Sequence, residues 1–280
     1  MRDMENAKRN TNVIVTIIIS LIGLAVLFPF FWMLRSSFMS NIEIHKYPPL
    51  LLPTTWRLDN YPYALSVFPS LRYMVNTLTI TLPSVVGVLV TSSLAAYAFA
   101  RLDFPLKRLW FTIVIGSMLM PGAVTIIPIF VAWSFIGLSN GYTPLIVPAF
   151  LGGGAVNIFL CRQFLMTIPR DLDEAAIIDG AGHVRILFQI LAPLIRPVLI
   201  AIGLFTFILY WNDLLGPLIY ISRTEQNTIS QALANFRSGF GTDWKSIMAA
   251  SCMTITPPVV LFLIGQKYFI EGIVLSGLKA

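Results

Sequence analysis

Six stretches of this chain are apolar over enough residues to cross a lipid bilayer. A helix rises 1.5 Å per residue, so about 20 apolar residues span the roughly 30 Å hydrocarbon layer. The windows cover residues 13–34, 73–100, 109–133, 143–166, 198–220 and 247–266. Because lipid offers no hydrogen bonds to the backbone, such windows form helices. The sequence therefore predicts an all-α membrane protein with six transmembrane helices.

Composition supports a chain surrounded by lipid. Of the 280 residues, 56% are hydrophobic and 11% are charged, whereas soluble domains carry about 25% charged residues. The net charge of +6 is scattered between apolar windows, which argues against a nucleic-acid partner. Twelve of the nineteen Lys and Arg residues fall on the side of the N-terminus, and this bias predicts that both termini are cytoplasmic. We expect one transmembrane domain over residues 1–280.

Proline and glycine interrupt several windows. The residues concerned are Pro83, Pro121, Pro128, Pro144, Pro148, Gly152, Gly153, Gly154, Pro257 and Pro258. Small residues let helix backbones approach closely, and kinks are tolerated where neighbours satisfy the freed carbonyls. Two interpretations stay open, namely ordinary packing of the helix bundle and hinges for alternating access.

The sizeable inner loop between the fourth and fifth windows covers residues 169–193, and we call it the acidic segment. It reads PRDLDEAAIIDGAGHVRILFQILAP. Pro169 favours an extended residue before it, and Asp171 or Asp173 can cap the free amides of a following helix. Acidic side chains in a first turn also complement the helix dipole. The pattern predicts a short helix over residues 172–179.

Glycines mark the end of this helix. Gly180 and Gly182 can adopt the positive φ that closes a helix. A second helix is expected over residues 184–191, with its apolar side chains facing the membrane. Glu174 and Asp179 would then face the cytosol, where a soluble partner can contact them.

The acidic segment resembles the EAA loop of permease subunits from bacterial ABC importers. The matching residues are Glu174, Ala175, Ala176, Asp179, Gly180, Ala181 and Pro193. Other stretches, including AYAFARLDFP at 96–105, MPGAVTIIPIF at 120–130 and WNDLLGPLIYI at 211–221, are similar to the carbohydrate-importing branch that includes the smaller maltose-permease-type subunit. The tail SGLKA at 276–280 departs from the usual ending of that branch.

This resemblance implies a type I importer-like permease fold in the bacterial cytoplasmic (inner) membrane. It implies a transport subunit that moves an oligosaccharide, a glycoside or a polyol derivative by alternating access. The implied partners are a second homologous permease, two ATP-binding subunits and an extracytoplasmic solute-binding protein. The seven matching residues would couple the chain to an ATPase, with Glu174 meeting a basic partner and Gly180 forming the turn.

We expect the chain to be no enzyme and to hold no cofactor. It contains no GxxxxGK[ST] phosphate-binding loop, so ATP and Mg²⁺ would be bound by the partner ATPase subunits. His45 and His183 lie in different loops, and Cys161 and Cys252 lie inside apolar windows without a CxxC pair. Neither arrangement predicts a metal or catalytic site.

Polar residues inside the windows are candidates for a solute pathway, because they are costly in lipid. These candidates are Asp213, Asn212, Trp211, Asn76 and Asn157. Amides, carboxylates and aromatic faces are also the groups that bind sugars. For Asp213 two roles stay open, an interhelical hydrogen bond and a contact to the solute or gate.

Three other functions are alternatives to a sugar importer. An ABC permease for a non-sugar solute has the same sequence features. A secondary transporter driven by an ion gradient would place ionisable residues in several windows, and only Asp213 and Arg162 are found there. A membrane-embedded hydrolase would need clustered catalytic side chains, which the sequence does not offer.

Overall fold

The computed structural model describes residues 2–67, 69–239 and 243–277, with side chains over 12–66, 69–235 and 243–267. Every regular element in these ranges is helical. The first eight α-helices are α1 (Arg2–Ser37), α2 (Asn41–Ile44), α3 (Asn60–Val67), α4 (Ser70–Arg101), α5 (Lys107–Ser117), α6 (Gly122–Phe135), α7 (Thr143–Ile146) and α8 (Ala155–Thr167). They are followed by α9 (Asp171–Ile178), α10 (His183–Arg185), α11 (Ala192–Leu194), α12 (Arg196–Trp211), α13 (Leu215–Tyr220), α14 (Ile229–Gly239) and α15 (Trp244–Gly277).

Four helical stretches are long and apolar enough to cross a membrane within the described ranges. They are Asn12–Ser37, Ser70–Arg101, Thr143–Thr167 and Trp244–Lys267. Counting each of two bent helix pairs as one span raises the number to six. The all-α class predicted from the apolar windows is thus confirmed, and four windows coincide with these stretches. The orientation of the termini stays a prediction, and Lys279 in the predicted tail lies outside the described residues.

The third window, expected over 109–133, is bent near Pro121, one of the prolines that interrupt the windows in the sequence. Its two pieces, α5 and α6, meet at an angle of 103° across a short break. Pro121 occupies the position just before α6 and has extended backbone angles. Proline lacks the amide hydrogen that an uninterrupted helix needs and restricts the residue before it. The chain therefore turns here.

The fifth window is also interrupted, because α12 ends at Trp211 and α13 begins only at Leu215. Asp213 lies in this gap, and the amide of Gly216 in α13 donates to its Oδ1 atom at 3.2 Å. A side chain that accepts from a nearby amide competes with the helical pattern. At its other end, α12 meets the helical stretch His183–Leu194 at 87°.

The chain forms two compact units, Met1–Pro69 with Leu233–Thr256 and Ser70–Ala232 with Pro257–Ala280. The prediction of a single domain over 1–280 stays a prediction. In the second unit, α4 packs against α8 and α12. A buried cluster joins these helices to the acidic segment, and its members include Ala96, Tyr97, Ala100, Cys161, Leu165, Ala176, Ile186, Leu187, Leu191, Val198 and Ile202.

The first unit contains a loop between α1 and α4 that polar side chains organise. Glu43 accepts hydrogen bonds from the amide of Ser40 at 2.8 Å and from the amide of Thr54 at 3.1 Å. The Thr54 hydroxyl also donates to it. These bonds, first the one from the Thr54 hydroxyl, lower the pKa of Glu43 to about 2. Its carboxylate therefore stays ionised and holds the start of α2 in a capping box.

Gly153 lets the turn before α8 approach α4 closely. Its φ is +64°, and a Cβ atom there would lie 2.6 Å from the amide nitrogen of Ser92. Only glycine fits a position that combines positive φ with backbone contact. Of the two interpretations left open for the glycine run at 152–154, this contact supports packing at Gly153, and a hinge stays a prediction.

Substituting Gly153 with alanine is expected to destabilise the protein by about 2–4 kcal/mol, because the new side chain meets both a strained φ and the backbone of α4. Thermal unfolding in detergent measures the effect as a fall in the apparent melting temperature. The matched control is Gly152→Ala, since a Cβ at Gly152 meets nothing within 4 Å. Equal melting of both variants and the wild type would contradict this close approach.

Candidate functional site

The first helix of the acidic segment, α9, begins at Asp171, one residue earlier than expected. Arg170 precedes the helix, and no side chain caps it. The predicted cap by Asp171 or Asp173 is therefore not formed. Asp173 instead lies buried, with its Oδ2 atom 2.9 Å from Nε of Arg101. The three acids in the first turn still complement the dipole of α9.

The C-terminal end of α9 is closed by two hydrogen bonds around Gly180. The amide of Gly180 donates to the carbonyl of Ile177, and the amide of Ala181 donates to that of Ala176, both at 2.9 Å. Gly180 has a φ of +80°. This is a Schellman motif with glycine in its usual place, as the sequence predicted. Gly182 has a φ of −77°, so it does not share that role.

The seven motif residues divide into two groups by exposure. Those exposed to solvent are Glu174, Ala175, Asp179, Gly180 and Pro193, whereas Ala176 is buried and Ala181 is partly buried. Ala176 and Ala181 pack on the cluster that contains Tyr97 and Ala100. Next to the exposed acids, the side chain of Ile178 is 85% exposed. The free face of α9 thus combines carboxylates with an apolar side chain, and the other face is fixed to the protein.

The second half of the acidic segment is less regular than the α-helix expected over 184–191. After the short helix α10 comes a π-helix, Ile186–Leu191, which leads into α11. Pro193 cannot donate the amide bond that an α-helix would need here, and π turns often mark functional regions. Ile186, Leu187 and Leu191 are fully buried and belong to the core cluster, so the expectation that these side chains face the membrane is wrong.

Further contacts join the acidic segment to the Arg101 end of α4. Arg101 Nη2 donates to the carbonyl of Ile168 at 2.9 Å, and Arg170 Nη2 donates to the carbonyl of Ala100 at 3.4 Å. The Tyr97 hydroxyl lies 3.0 Å from His183 Nδ1. Sequence reasoning missed these contacts, because the partners are far apart along the chain and follow no local pattern.

Two of the predicted pathway residues line a cavity of about 820 Å³. These are Asp213 and Asn212, and Tyr210 and Tyr220 add hydroxyl groups to a lining that is otherwise mostly apolar. The hydrogen bond of Asp213 runs to Gly216 in its own turn, so it differs from the interhelical bond considered above. Contact with a solute stays a prediction for both residues.

The other three candidates, Asn76, Asn157 and Trp211, make contacts within the protein. Asn76 donates from Nδ2 to the carbonyls of Glu225 and Asn227, and Asn157 donates to the carbonyl of Gly153 at 2.7 Å. Trp211 is 1% exposed and stacks on Phe207 with ring centroids 5.4 Å apart. We therefore assign these side chains a structural role, and any contact they make with a solute stays a prediction.

Within the described ranges, no group of three or more His, Cys, Asp and Glu side chains lies close enough to hold a metal ion. Cys161 and Cys252 are buried free thiols.

Comparison with known proteins places the chain among transport components. The family model described as "Binding-protein-dependent transport system inner membrane component" matches residues 87–274. A crystal structure of a bacterial ABC transporter involved in the import of the acidic polysaccharide alginate contains a chain with the same fold. Its TM-score is 0.80 at 24% identity, over 94% of this chain and 98% of that chain.

Two relatives align over almost their whole length. The arabinooligosaccharides transport system permease protein AraQ of Halalkalibacterium halodurans is 31% identical over 97% of this chain and 99% of its own. The sn-glycerol-3-phosphate transport system permease protein UgpE of Rhizobium meliloti is 34% identical over 89% of this chain and 91% of its own. The chain therefore belongs to the family of inner membrane components of binding-protein-dependent transport systems, as a permease subunit.

Proposed function

We propose that this chain is the membrane-spanning subunit of an ATP-driven importer for a carbohydrate or a polyol derivative. The family match and the permease fold support the transport role. The names of two relatives, which refer to arabinooligosaccharides and to sn-glycerol-3-phosphate, support this range of solutes.

The importer would contain a second homologous permease, two ATP-binding subunits and an extracytoplasmic solute-binding protein. ATP and Mg²⁺ would sit on the ATP-binding subunits, since this sequence has no phosphate-binding loop of the GxxxxGK[ST] type. Both termini and the acidic segment would face the cytoplasm, as the distribution of Lys and Arg indicates.

The observation that carries the proposal is the half-exposed, half-anchored helix α9. Its free face presents Glu174 beside Ile178, which is 85% exposed. Its other face is buried through Ala176. Leu172 and Ile177 of α9 are exposed as well, at 43% and 52%, and a group of exposed apolar side chains rimmed by polar ones is typical of a contact surface. We infer that α9 docks in a cleft on an ATP-binding subunit, and that closure of the two ATP-binding subunits switches the helices from inward-open to outward-open.

Reconstitution into sealed vesicles tests the proposed function. The complete complex, with the binding protein outside, should accumulate a labelled arabino-oligosaccharide or labelled sn-glycerol-3-phosphate when ATP is supplied to the ATP-binding subunits. Omitting ATP or those subunits should stop accumulation. If the complex accumulates sn-glycerol-3-phosphate and no arabino-oligosaccharide, the solute is a polyol derivative and not a sugar. Accumulation by the isolated chain under an ion gradient, without nucleotide, would overturn the proposal in favour of a secondary transporter.

A further inference from the structure

The C-terminal end of α4, at Arg101, contacts the acidic segment through an ion pair and hydrogen bonds. Docking of α9 on a partner does not by itself require these contacts. Arg101, the last residue of α4, pairs with Asp173 in the first turn of α9, with Nε and Oδ2 2.9 Å apart. The same guanidinium donates to the carbonyl of Ile168, just before α9. The side chain of Arg101 thus contacts both α9 and the backbone just before α9.

Two other arginines reach the carbonyls at this end of α4. Arg170 donates to the carbonyl of Ala100, and Arg162 donates to that of Phe99 at 3.3 Å. The last carbonyls of a helix lack partners within it and carry the negative end of its dipole, so cationic donors stabilise them. Arg170 directly precedes α9, which makes it a second link between the two helices.

Burial separates the Arg101–Asp173 pair from an ordinary surface ion pair. Its side chains are 6% and 11% exposed. A second pair nearby, Lys107 with Asp103, has an Asp side chain that is 87% exposed and a separation of 3.4 Å. Exposed pairs contribute little, whereas removing one member of a buried pair leaves an uncompensated charge. The buried pair is therefore the one that can resist a force.

The path along the chain from α9 to the next long helix is comparatively indirect. It runs through the turn at Gly180, the π-helix Ile186–Leu191 and an 87° bend before α12. The path through Arg101 is a direct contact. A push on α9 would reach α4 through that contact without crossing either turn.

We propose that the Arg101–Asp173 ion pair is a pin that makes α9 and α4 move as one body, so that force applied to α9 enters α4 directly. This inference rests on the proposed function, because it assumes that an ATP-binding subunit moves α9. Arg101 and Asp173 are positioning residues. Their side chains are too buried to meet the ATP-binding subunit, and they act through the exposed face of α9.

The first test separates ATP hydrolysis from transport in the reconstituted complex. Asp173→Asn should lower uptake of the labelled arabino-oligosaccharide or sn-glycerol-3-phosphate at least tenfold while ATP hydrolysis stays within about twofold of wild type. Asp173→Glu keeps the charge and should restore uptake to within about threefold. Asp103→Asn, in the exposed pair, is the matched control and should transport normally. Normal uptake by Asp173→Asn would overturn the proposal.

A second measurement leaves the Arg101–Asp173 pair intact. It tests whether α9 and α4 move together even if the Asp173→Asn variant fails to reach the membrane. Spin labels are attached at Asp103→Cys and Asp171→Cys, both exposed positions flanking the pair, while Cys161 and Cys252 are buried. The dipolar coupling between the two labels gives their separation, which is compared between the nucleotide-free complex and the complex trapped with Mg²⁺, ATP and vanadate. The amount of trapped ADP verifies that the vanadate-trapped complex has formed. An unchanged separation supports the pin, and a change of several Å overturns it.

These results distinguish the pin from the proposed function. A wild-type complex that shows no ATP-dependent uptake contradicts the proposed function, and the pin with it. A wild-type complex that transports, together with an Asp173→Asn variant that also transports, contradicts the pin alone.

Discussion

Replacing Glu174 with arginine is expected to abolish ATP-dependent uptake while the amount of protein in the membrane stays normal. Glu174 is exposed in the first turn of α9, so the substitution costs the fold only about 0.3–1 kcal/mol through the helix dipole. Facing a basic group on an ATP-binding subunit, the new charge would cost several kcal/mol. Since about 1.4 kcal/mol is tenfold in an equilibrium constant, we expect docking to weaken by roughly 100-fold or more.

Vesicle uptake and co-purification of the ATP-binding subunit measure the effect of Glu174→Arg. Asp171→Arg is the matched control, because Asp171 is an exposed acid in the same turn of the same helix and lies outside the motif. This control should keep uptake within about threefold of wild type. An equal loss in both variants would mean that overall charge matters and that Glu174 makes no specific contact. Normal uptake by Glu174→Arg would refute docking through this residue.

The spanning helices could be predicted from the sequence because hydropathy and length determine them directly. The window expected at 73–100 is the helix Ser70–Arg101, and the one expected at 143–166 falls in the stretch Thr143–Thr167. In lipid the backbone must satisfy its own hydrogen bonds, so an apolar run of this length has few alternatives to a helix.

The interruptions were harder to predict, because they depend on single residues within windows that look uniformly apolar. Pro121 could be recognised as a kink, but the 103° angle between α5 and α6 depends on how the pieces pack. For Asp213 an interhelical hydrogen bond and a contact to the solute or gate were both open, and the hydrogen bond it makes is a local one, accepted from the amide of Gly216. Sequence does not distinguish a local hydrogen bond from a distant one for such a side chain.

Within the acidic segment, local chemistry was predictable and distant partners were not. Gly180 was expected to close α9 because glycine alone adopts positive φ without strain, and the structure shows this conformation. Asp173, like Asp171, was expected to cap the start of the helix, since an acid at that position usually does so. Its partner is Arg101, which lies at the end of another helix and follows no sequence spacing.

The second large effect is expected for Gly180→Pro, which should reduce uptake about 100-fold or more at a normal level of protein in the membrane. Proline fixes φ near −65° and has no amide hydrogen. Gly180 has a φ of +80° and donates to Ile177 at 2.9 Å, so both the turn and its hydrogen bond are lost. The end of α9, with Ile178 and Asp179, would then leave the position in which it can dock.

Two graded controls separate backbone conformation from side-chain size. A Cβ at Gly180 meets nothing within 4 Å, so Gly180→Ala adds no clash and costs only about 1–2 kcal/mol for its positive φ. Its uptake should lie between those of the wild type and Gly180→Pro. Gly182 has an ordinary φ of −77° and equally open surroundings, and Gly182→Ala should therefore transport normally. If Gly180→Pro and Gly182→Ala transport alike, the closed end of α9 is not what the ATP-binding subunit contacts, and docking must depend on its first turn alone.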